Sequence, residues 1–338
     1  MDGSRTSWAG MSARSAQWSL SDWLSAIAEL KQQRRAAILV HWYRAADFAE
    51  IADVVGDSFA LLSRAPALPH PVLVVVGTVF LAESIKVLCP DKRVLVPDML
   101  AGCSLAESCP EELFVRFRQM YPEHVAVVHV QSPLAVKACA DVVVTTSTAE
   151  RVVRQLSPGR PIVFAPDQQL GHYLRERTGR QIVSWFGQCV VHVGFSLTHL
   201  EALQQRYPEA AVVVSAQAPV EFRSRATVVG AAAELVRSVE QLREPWVIAV
   251  LDHGLVEHLR QRFPEKRFLT VPAETDCRCT HCPYMGLNTV PKLYQCLQAG
   301  EPAIELPAEV AEAARTPHRR LLELLAQESS VAPTPQAE

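Results

Sequence analysis

Short, almost uninterrupted apolar runs recur along this chain, each followed by an amphipathic stretch and then by another apolar run. The runs "AAILVHWY", "VLVVVGT", "RVLVPD", "VAVVHV", "DVVVTTS", "PIVFAPD", "QIVSWFG", "AAVVVSA", "ATVVGAA", "WVIAVLD" and "RFLTVPA" read as strands. Runs this short and apolar on both faces suit parallel strands buried under helices, because a parallel pair needs a crossover helix between its members. "EELFVRFRQMYP", "SLTHLEALQQRYP" and "GLVEHLRQRFPEKR" supply such helices, each ending near a proline. The expected fold class is therefore α/β with parallel sheets. The unit repeats about every 90 residues, which divides the chain into an N-terminal extension (1–32), three α/β segments (33–118, 119–209 and 210–322) and a flexible tail (323–338). Most strands end in polar or turn residues, and the carboxyl ends of strands are where open α/β sheets bind ligands.

Composition narrows the function classes. A net charge of -3 with no basic block argues against a nucleic-acid partner. No apolar run approaches the roughly 18 residues that a membrane helix needs. The first residues lack an apolar core with a cleavage site, so the cytoplasm is the expected compartment. "MDGSRTSWAGMSARSAQW" weakly resembles an organelle transit peptide, but reads more simply as a disordered extension before a helix. In a reducing compartment the nine cysteines point to buried thiols or metal ligands rather than disulfides.

Cys103, Cys189 and Cys282 each occupy the last strand-to-helix loop of one segment. One thiol per segment is what a site at a three-way junction requires. Ser104 and Glu107 form an S-x-x-E pattern that predicts a capping box, placing Cys103 just before a helix N-terminus, where the partial positive charge favours thiolate. Cys189 opens another helical stretch, and after Cys282 a helix is expected to be capped by Thr289 and entered through Pro291. Three thiolates without an evident fourth protein ligand suit a 4Fe-4S cluster with one open iron better than a closed structural zinc. The local C-x-C-x-x-C of Cys277, Cys279 and Cys282 is the competing half-zinc reading. Cys89, Cys109, Cys139 and Cys296 read as buried thiols.

With these loops in view the sequence resembles the quinolinate synthase family, 4Fe-4S enzymes of NAD biosynthesis. The stretches that carry the resemblance are "HWY", "ADVVGDSFALLSRA", "FLAES", "PDMLAGCSLAESC", "VKACAD", "FAPDQQLG", "WFGQCVVH" and "CPYMGLNT", in order along most of the chain. The resemblance implies three α/β/α domains related by pseudo-threefold symmetry, with one cluster ligand from each. It also implies condensation of iminoaspartate with dihydroxyacetone phosphate to quinolinate, with an open iron acting as a Lewis acid. The implied partner is a small anionic substrate, with no nucleic acid or membrane, for a monomer or homodimer. His41, Tyr43, Ser58, Ser147 and His192 keep the family's polar character.

Other positions depart from the family. Val79 stands for a His; His129, Gln131 and Ser132 stand in "HVQS" for Tyr, Asn and Thr; Ser215 and Gln217 stand in "SAQA" for His and Glu. Ala231 and Ala232 replace two hydroxyl residues, "VLD" at Val250, Leu251 and Asp252 replaces G-T-E, and Arg44 replaces a Gln. A carboxamide at Gln217 holds hydrogen bonds but takes no proton at neutral pH, so any base role of the Glu is lost. Arg44, at a strand tip, is a candidate clamp for carboxylate or phosphate. Three readings follow: a paralogue with the same cluster and an altered substrate, a working quinolinate synthase, or a cluster-holding protein without turnover.

Overall fold

The computed structural model describes residues 18–274 and 280–331. Twelve strands form three four-stranded parallel sheets. The first lobe contains β1 (Ala36–His41), β2 (Val54–Gly56), β3 (Val72–Val76) and β4 (Arg93–Leu95). The second contains β5 (Val125–His129), β6 (Val142–Val144), β7 (Ile162–Ala165) and β8 (Ile182–Ser184). The third contains β9 (Ala211–Ser215), β10 (Val228–Gly230), β11 (Trp246–Val250) and β12 (Arg267–Thr270). The spatial order is β2-β1-β3-β4, and it recurs as β6-β5-β7-β8 and β10-β9-β11-β12. An α/β fold with three sheet-and-helix units is thus the observed architecture.

The strands are apolar on both faces because helices cover both. All six residues of β1 are buried. Its side chains alternate, Ala37 and Leu39 packing on one face with Leu61, Leu81 and Ile85, and Ile38 and Val40 on the other with Ile27, Phe48 and Leu293. Each such aliphatic side chain removed from water contributes about 1.5–3 kcal/mol. The strand that pattern reading overlooks is β2, whose run "VVG" is only three residues long and shows no period of its own.

Packing cuts across the linear segmentation at four helices. Helix Leu20–Gln33 starts with a capping box between Ser19 and Asp22, and it packs with helix Val290–Ala299 on the first sheet. The stretch read as an extension is therefore, from residue 20, part of the first lobe. Helix Glu111–Gln119 places Phe114 against Val128, Val136 and Trp185 of the second lobe. The last helix, Ala308–Val331, lays Leu321 and Leu325 on Val142, Val144 and Ala149, so the tail expected from residue 323 is helical through Val331. No described helix is long and apolar enough to cross a membrane.

A candidate active site between three lobes

The carboxyl ends of all three sheets face one cavity, and the repeat makes its wall legible position by position. At the tip of each lobe's first strand stands His41, His129 or Ser215, paired in register with Gly56, Val144 or Gly230. Each tip side chain accepts the backbone N–H two residues on: Tyr43 N–H to His41 Nδ1 at 3.3 Å, Gln131 N–H to His129 Nδ1 at 3.2 Å, and Gln217 N–H to Ser215 Oγ at 3.2 Å. Three equal turns thereby aim Tyr43, Gln131 and Gln217 into the cavity. Beyond each lobe's third strand, Thr78, Asp167 and Asp252 occupy equivalent helix N-caps.

These N-caps tie neighbouring lobes together in a cycle. Thr78 Oγ1 of the first lobe donates to Gln131 Oε1 of the second at 2.8 Å. Asp167 Oδ2 of the second accepts Gln217 Nε2 of the third at 2.6 Å. In the third lobe the helix capped by Asp252 meets the first so closely that a Cβ on Gly254 would lie 2.0 Å from the Tyr43 carbonyl oxygen. Only glycine permits that approach.

The polar residues of the wall are buried, and burial governs their protonation. It holds His41 down to about 4 against the opposing pull of Asp57, and His129 down to about 3, reinforced by the positive charge of Lys137. His192 is lowered by burial too, and neither of its ring nitrogens has a protein partner among the described residues. Burial raises Tyr43 well above the usual phenol value, helped by the negative field of Asp252. Asp252 rises to about 6 through burial, although Gly254 and Cys282 N–H groups, both at 2.8 Å, favour its carboxylate. Neutral imidazoles and a neutral phenol therefore face the cavity near pH 7.

All eleven residues singled out from sequence, Cys103, Cys189, Cys282, His41, Tyr43, Ser58, His129, Gln131, Ser147, His192 and Gln217, line this one cavity. Not all keep free groups. Ser147 Oγ donates to Asp57 Oδ2 at 2.5 Å, while Ser58 follows the N-cap Asp57 and its hydroxyl has no protein partner among the described residues. Both nitrogens of His129 are engaged, the second with Thr146 Oγ1 at 3.0 Å. Arg44 is not a cavity clamp: its guanidinium bonds the Asn288 carbonyl at 3.0 Å and Asp47 at 2.7 Å, fastening the Cys282 loop to the first lobe. Sequence reading missed Asp57, Thr78, Thr145 and Thr146 on the wall, and Asp167 just behind it. For Asp57, Thr78, Thr145 and Asp167 the signal was an Asp or Thr between an apolar run and a helix, which marks an N-cap at a strand tip; Thr146 is the first residue of its helix.

The three cysteine loops follow the fourth strand of each lobe. Cys103 is itself the N-cap of helix Ser104–Glu107, with no side-chain cap bond, so the expected capping box does not form. The reason is that Ser104 faces the second lobe, where its Oγ lies 3.5 Å from Val190 N, and Glu107 reaches toward Tyr284 of the third. Thr289 caps helix Val290–Ala299 as expected. Cys277 and Cys279 lie outside the described residues. As free thiols the three cysteines are not acidified: burial pushes Cys189 up to about 11 and Cys282 up to about 12, and raises Cys103 further, with Cys189 adding to the rise of the other two and Asp167 and Asp252 adding to that of Cys189.

The thiols' surroundings test the fit of a metal centre. Three half-buried thiolates round one cavity require nearby positive charge, and no Lys or Arg lines it. Nor, among the described residues, do three His, Cys, Asp or Glu side chains close on a single-ion position. Three thiols round one cavity without a protein counter-charge are a donor set whose charge a bound cationic metal centre would balance. Fold and cavity together define the class: a three-lobed α/β protein with a thiol-lined central site.

The comparisons carry this to a family. The family model described as "Quinolinate synthetase A protein" matches residues 25–323. The chain is 38% identical over 303 residues to the quinolinate synthase of Microcystis aeruginosa, covering 90% of this chain and 95% of that protein. It is 38% identical over 307 residues to that of Synechococcus sp., covering 90% and 96%, and 40% identical over 299 residues to that of Prochlorococcus marinus, covering 88% and 90%. The chain belongs to the quinolinate synthase family.

Proposed function

We propose that this chain is a 4Fe-4S enzyme that condenses and dehydrates small anionic substrates, on a substrate set altered from that of quinolinate synthase. One observation carries the reading: eight of the replaced positions, His129, Gln131, Ser215, Gln217, Ala231, Ala232, Leu251 and Asp252, line the same cavity as the retained polar residues and the three thiols. Cys103, Cys189 and Cys282 would hold the cluster, which when bound supplies a Lewis-acidic iron.

The remaining chemistry belongs to the wall. With Nδ1 accepting a backbone N–H, neutral His41 carries its proton on Nε2 and donates from there. Tyr43, Ser58 and His192 add groups able to donate to substrate oxygens, and burial keeps water from competing for them. These donors can hold carboxylate or phosphate oxygens without Lys or Arg, while Asp57 and Asp252 supply the wall's carboxylates. On the facing side Gln217 offers no base, so proton transfer falls to His41, Tyr43, His192 and the Asp252 carboxyl, raised to about 6. The two unpartnered nitrogens of buried His192 favour an enzyme over a protein that merely stores a cluster.

The test is quinolinate formation by anaerobically purified protein from iminoaspartate and dihydroxyacetone phosphate. We expect a rate at least about 100-fold below that of a cyanobacterial relative, the scale of one lost acid–base group. Comparable turnover would overturn the altered substrate and make the chain a working quinolinate synthase, the reading that its relatives' names favour.

A further inference from the structure

Gln131 and Gln217 are equivalent by the pseudo-threefold repeat, yet the structure holds them in opposite senses. The difference lies in the N-cap that each one meets. Thr78 Oγ1 accepts Leu81 N–H at 3.3 Å and donates its own proton to Gln131 Oε1, which leaves the Gln131 NH₂ to the cavity. Asp167 has no proton to give in its ionised form. Its Oδ1 accepts Gln169 and Leu170 N–H at 2.9 and 3.1 Å, and its Oδ2 accepts Gln217 Nε2 at 2.6 Å. The Gln217 carbonyl is thereby turned toward Thr146, whose hydroxyl donates to it at 3.2 Å and in turn accepts His129 Nε2–H at 3.0 Å. The result is one directed chain from His129 through Thr146 and Gln217 to Asp167.

We infer that Thr78 and Asp167 are positioning residues that set two equivalent glutamines in opposite polarity, so that the cavity reads one acceptor and one donor on its ligand. Gln131 presents N–H to an oxygen; Gln217 keeps a free carbonyl lone pair for an N–H. The ligand class this selects carries a carboxylate and, across from it, an amide, amine or imine N–H. The inference deepens the altered-substrate reading above and rests on it for the identity of the site, but its test needs no turnover.

Asp167→Asn is the decisive variant. Asn has one side-chain oxygen, which the Gln169 and Leu170 N–H groups claim, leaving NH₂ toward Gln217. Gln217 must then flip and Thr146 must accept from it, so the Thr146 proton leaves the Gln217 carbonyl; it can turn to His129 Nε2 only if the Gln131 N–H bond to Nδ1 breaks. In wild type, nitrogen NMR of the His129 ring should show the Nε2–H tautomer; in Asp167→Asn its Nε2 signal should shift, because the Thr146 hydroxyl that accepts it has reoriented. Gln217→Leu removes the relay, so adding Asp167→Asn to it should leave His129 unchanged. In parallel, wild type should bind maleamate, with one carboxylate and one amide, about tenfold tighter than maleate, and Asp167→Asn should lose or reverse that preference. An unshifted His129 Nε2 signal in folded Asp167→Asn overturns the relay. Equal affinities in wild type, or no binding of either probe, overturn the ligand class, and neither result bears on whether quinolinate is made.

Discussion

At the scale of single residues, the three site cysteines differ from the other described thiols in where they lie rather than in how acidic they are. Cys89, Cys109 and Cys296 are buried in apolar packing, and their raised thiols follow from desolvation as the leading cause. Cys103 and Cys282 feel neighbouring thiols as well as burial, and Cys189 feels the Asp167 and Asp252 carboxylates. Anaerobically purified protein is therefore expected to hold about four irons and four sulfides per chain. Cys103→Ala, Cys189→Ala and Cys282→Ala should each drop that content below about one iron, while Cys109→Ala, beside Phe114 and Trp185, should keep it. Stoichiometric zinc without sulfide would count against the cluster. The cysteines were readable from spacing alone; Asp167 was not, because a capping Asp at a strand tip looks the same whether or not a glutamine from another lobe reaches it.

At the scale of elements, the repeated strand–cap–helix corner decides how tightly the lobes close. The corner that caps helix His253–Arg262 with Asp252 pushes Gly254 onto the Tyr43 carbonyl, and the same Asp252 accepts the Cys282 N–H. One corner thus sets the contact between first and third lobes and the posture of a cysteine loop. Gly254→Ala should destabilise the protein by at least about 1–3 kcal/mol, because backbone and not a flexible side chain meets the added methyl. Gly159→Ala, with nothing within 4 Å of its added Cβ, should change stability by less than about 0.5 kcal/mol. Urea denaturation of the two variants checks both, and equal midpoints would show that the lobes part without cost. The strands and helices here were legible in the alternation of apolar runs, since a both-face-buried strand leaves a continuous signature. The three-residue β2 escaped because pairing with β1 makes it a strand, and its own sequence does not.

At the scale of the whole molecule, the last helix crosses from the second lobe to the first and closes over a buried cation. Lys137, fully buried, donates to the Phe80 carbonyl at 2.7 Å and to Ser84 Oγ at 2.9 Å, with Glu83 3.4 Å away, pinning the second lobe to helix Val79–Leu88 of the first. His318 on the last helix is also buried; its Nδ1 bonds the Ala314 carbonyl at 2.7 Å and its Nε2 has no partner among the described residues. Burial first and the Lys137 charge second hold His318 down to about 3. Since an unfolded His titrates near 6.5, the unfolded chain binds the extra proton below that pH, and stability is lost as pH falls from about 6.5 toward 3. The penalty at pH 5 is about 2 kcal/mol. Asp252, raised to about 6, acts in the opposite sense over part of that range, so a single-residue comparison is the clean one. Between pH 7 and 5, wild type should lose about 2 kcal/mol more in urea denaturation than His318→Leu, and parallel losses would contradict the assignment.

The sequence by itself determined the parallel sheets, the threefold repeat and the three cysteine loops, because each is written in local pattern: apolar period, polar strand ends and residue spacing. Only the tertiary structure decided that helix Leu20–Gln33 belongs to the first lobe, that Arg44 braces a loop instead of a ligand, and that Gln131 and Gln217 point opposite polar ends inward. The physical reason is range. Strand and helix patterns act within a few residues, whereas these assignments hang on hydrogen bonds and packing between residues dozens to hundreds of positions apart, whose partners exist only once the lobes have closed.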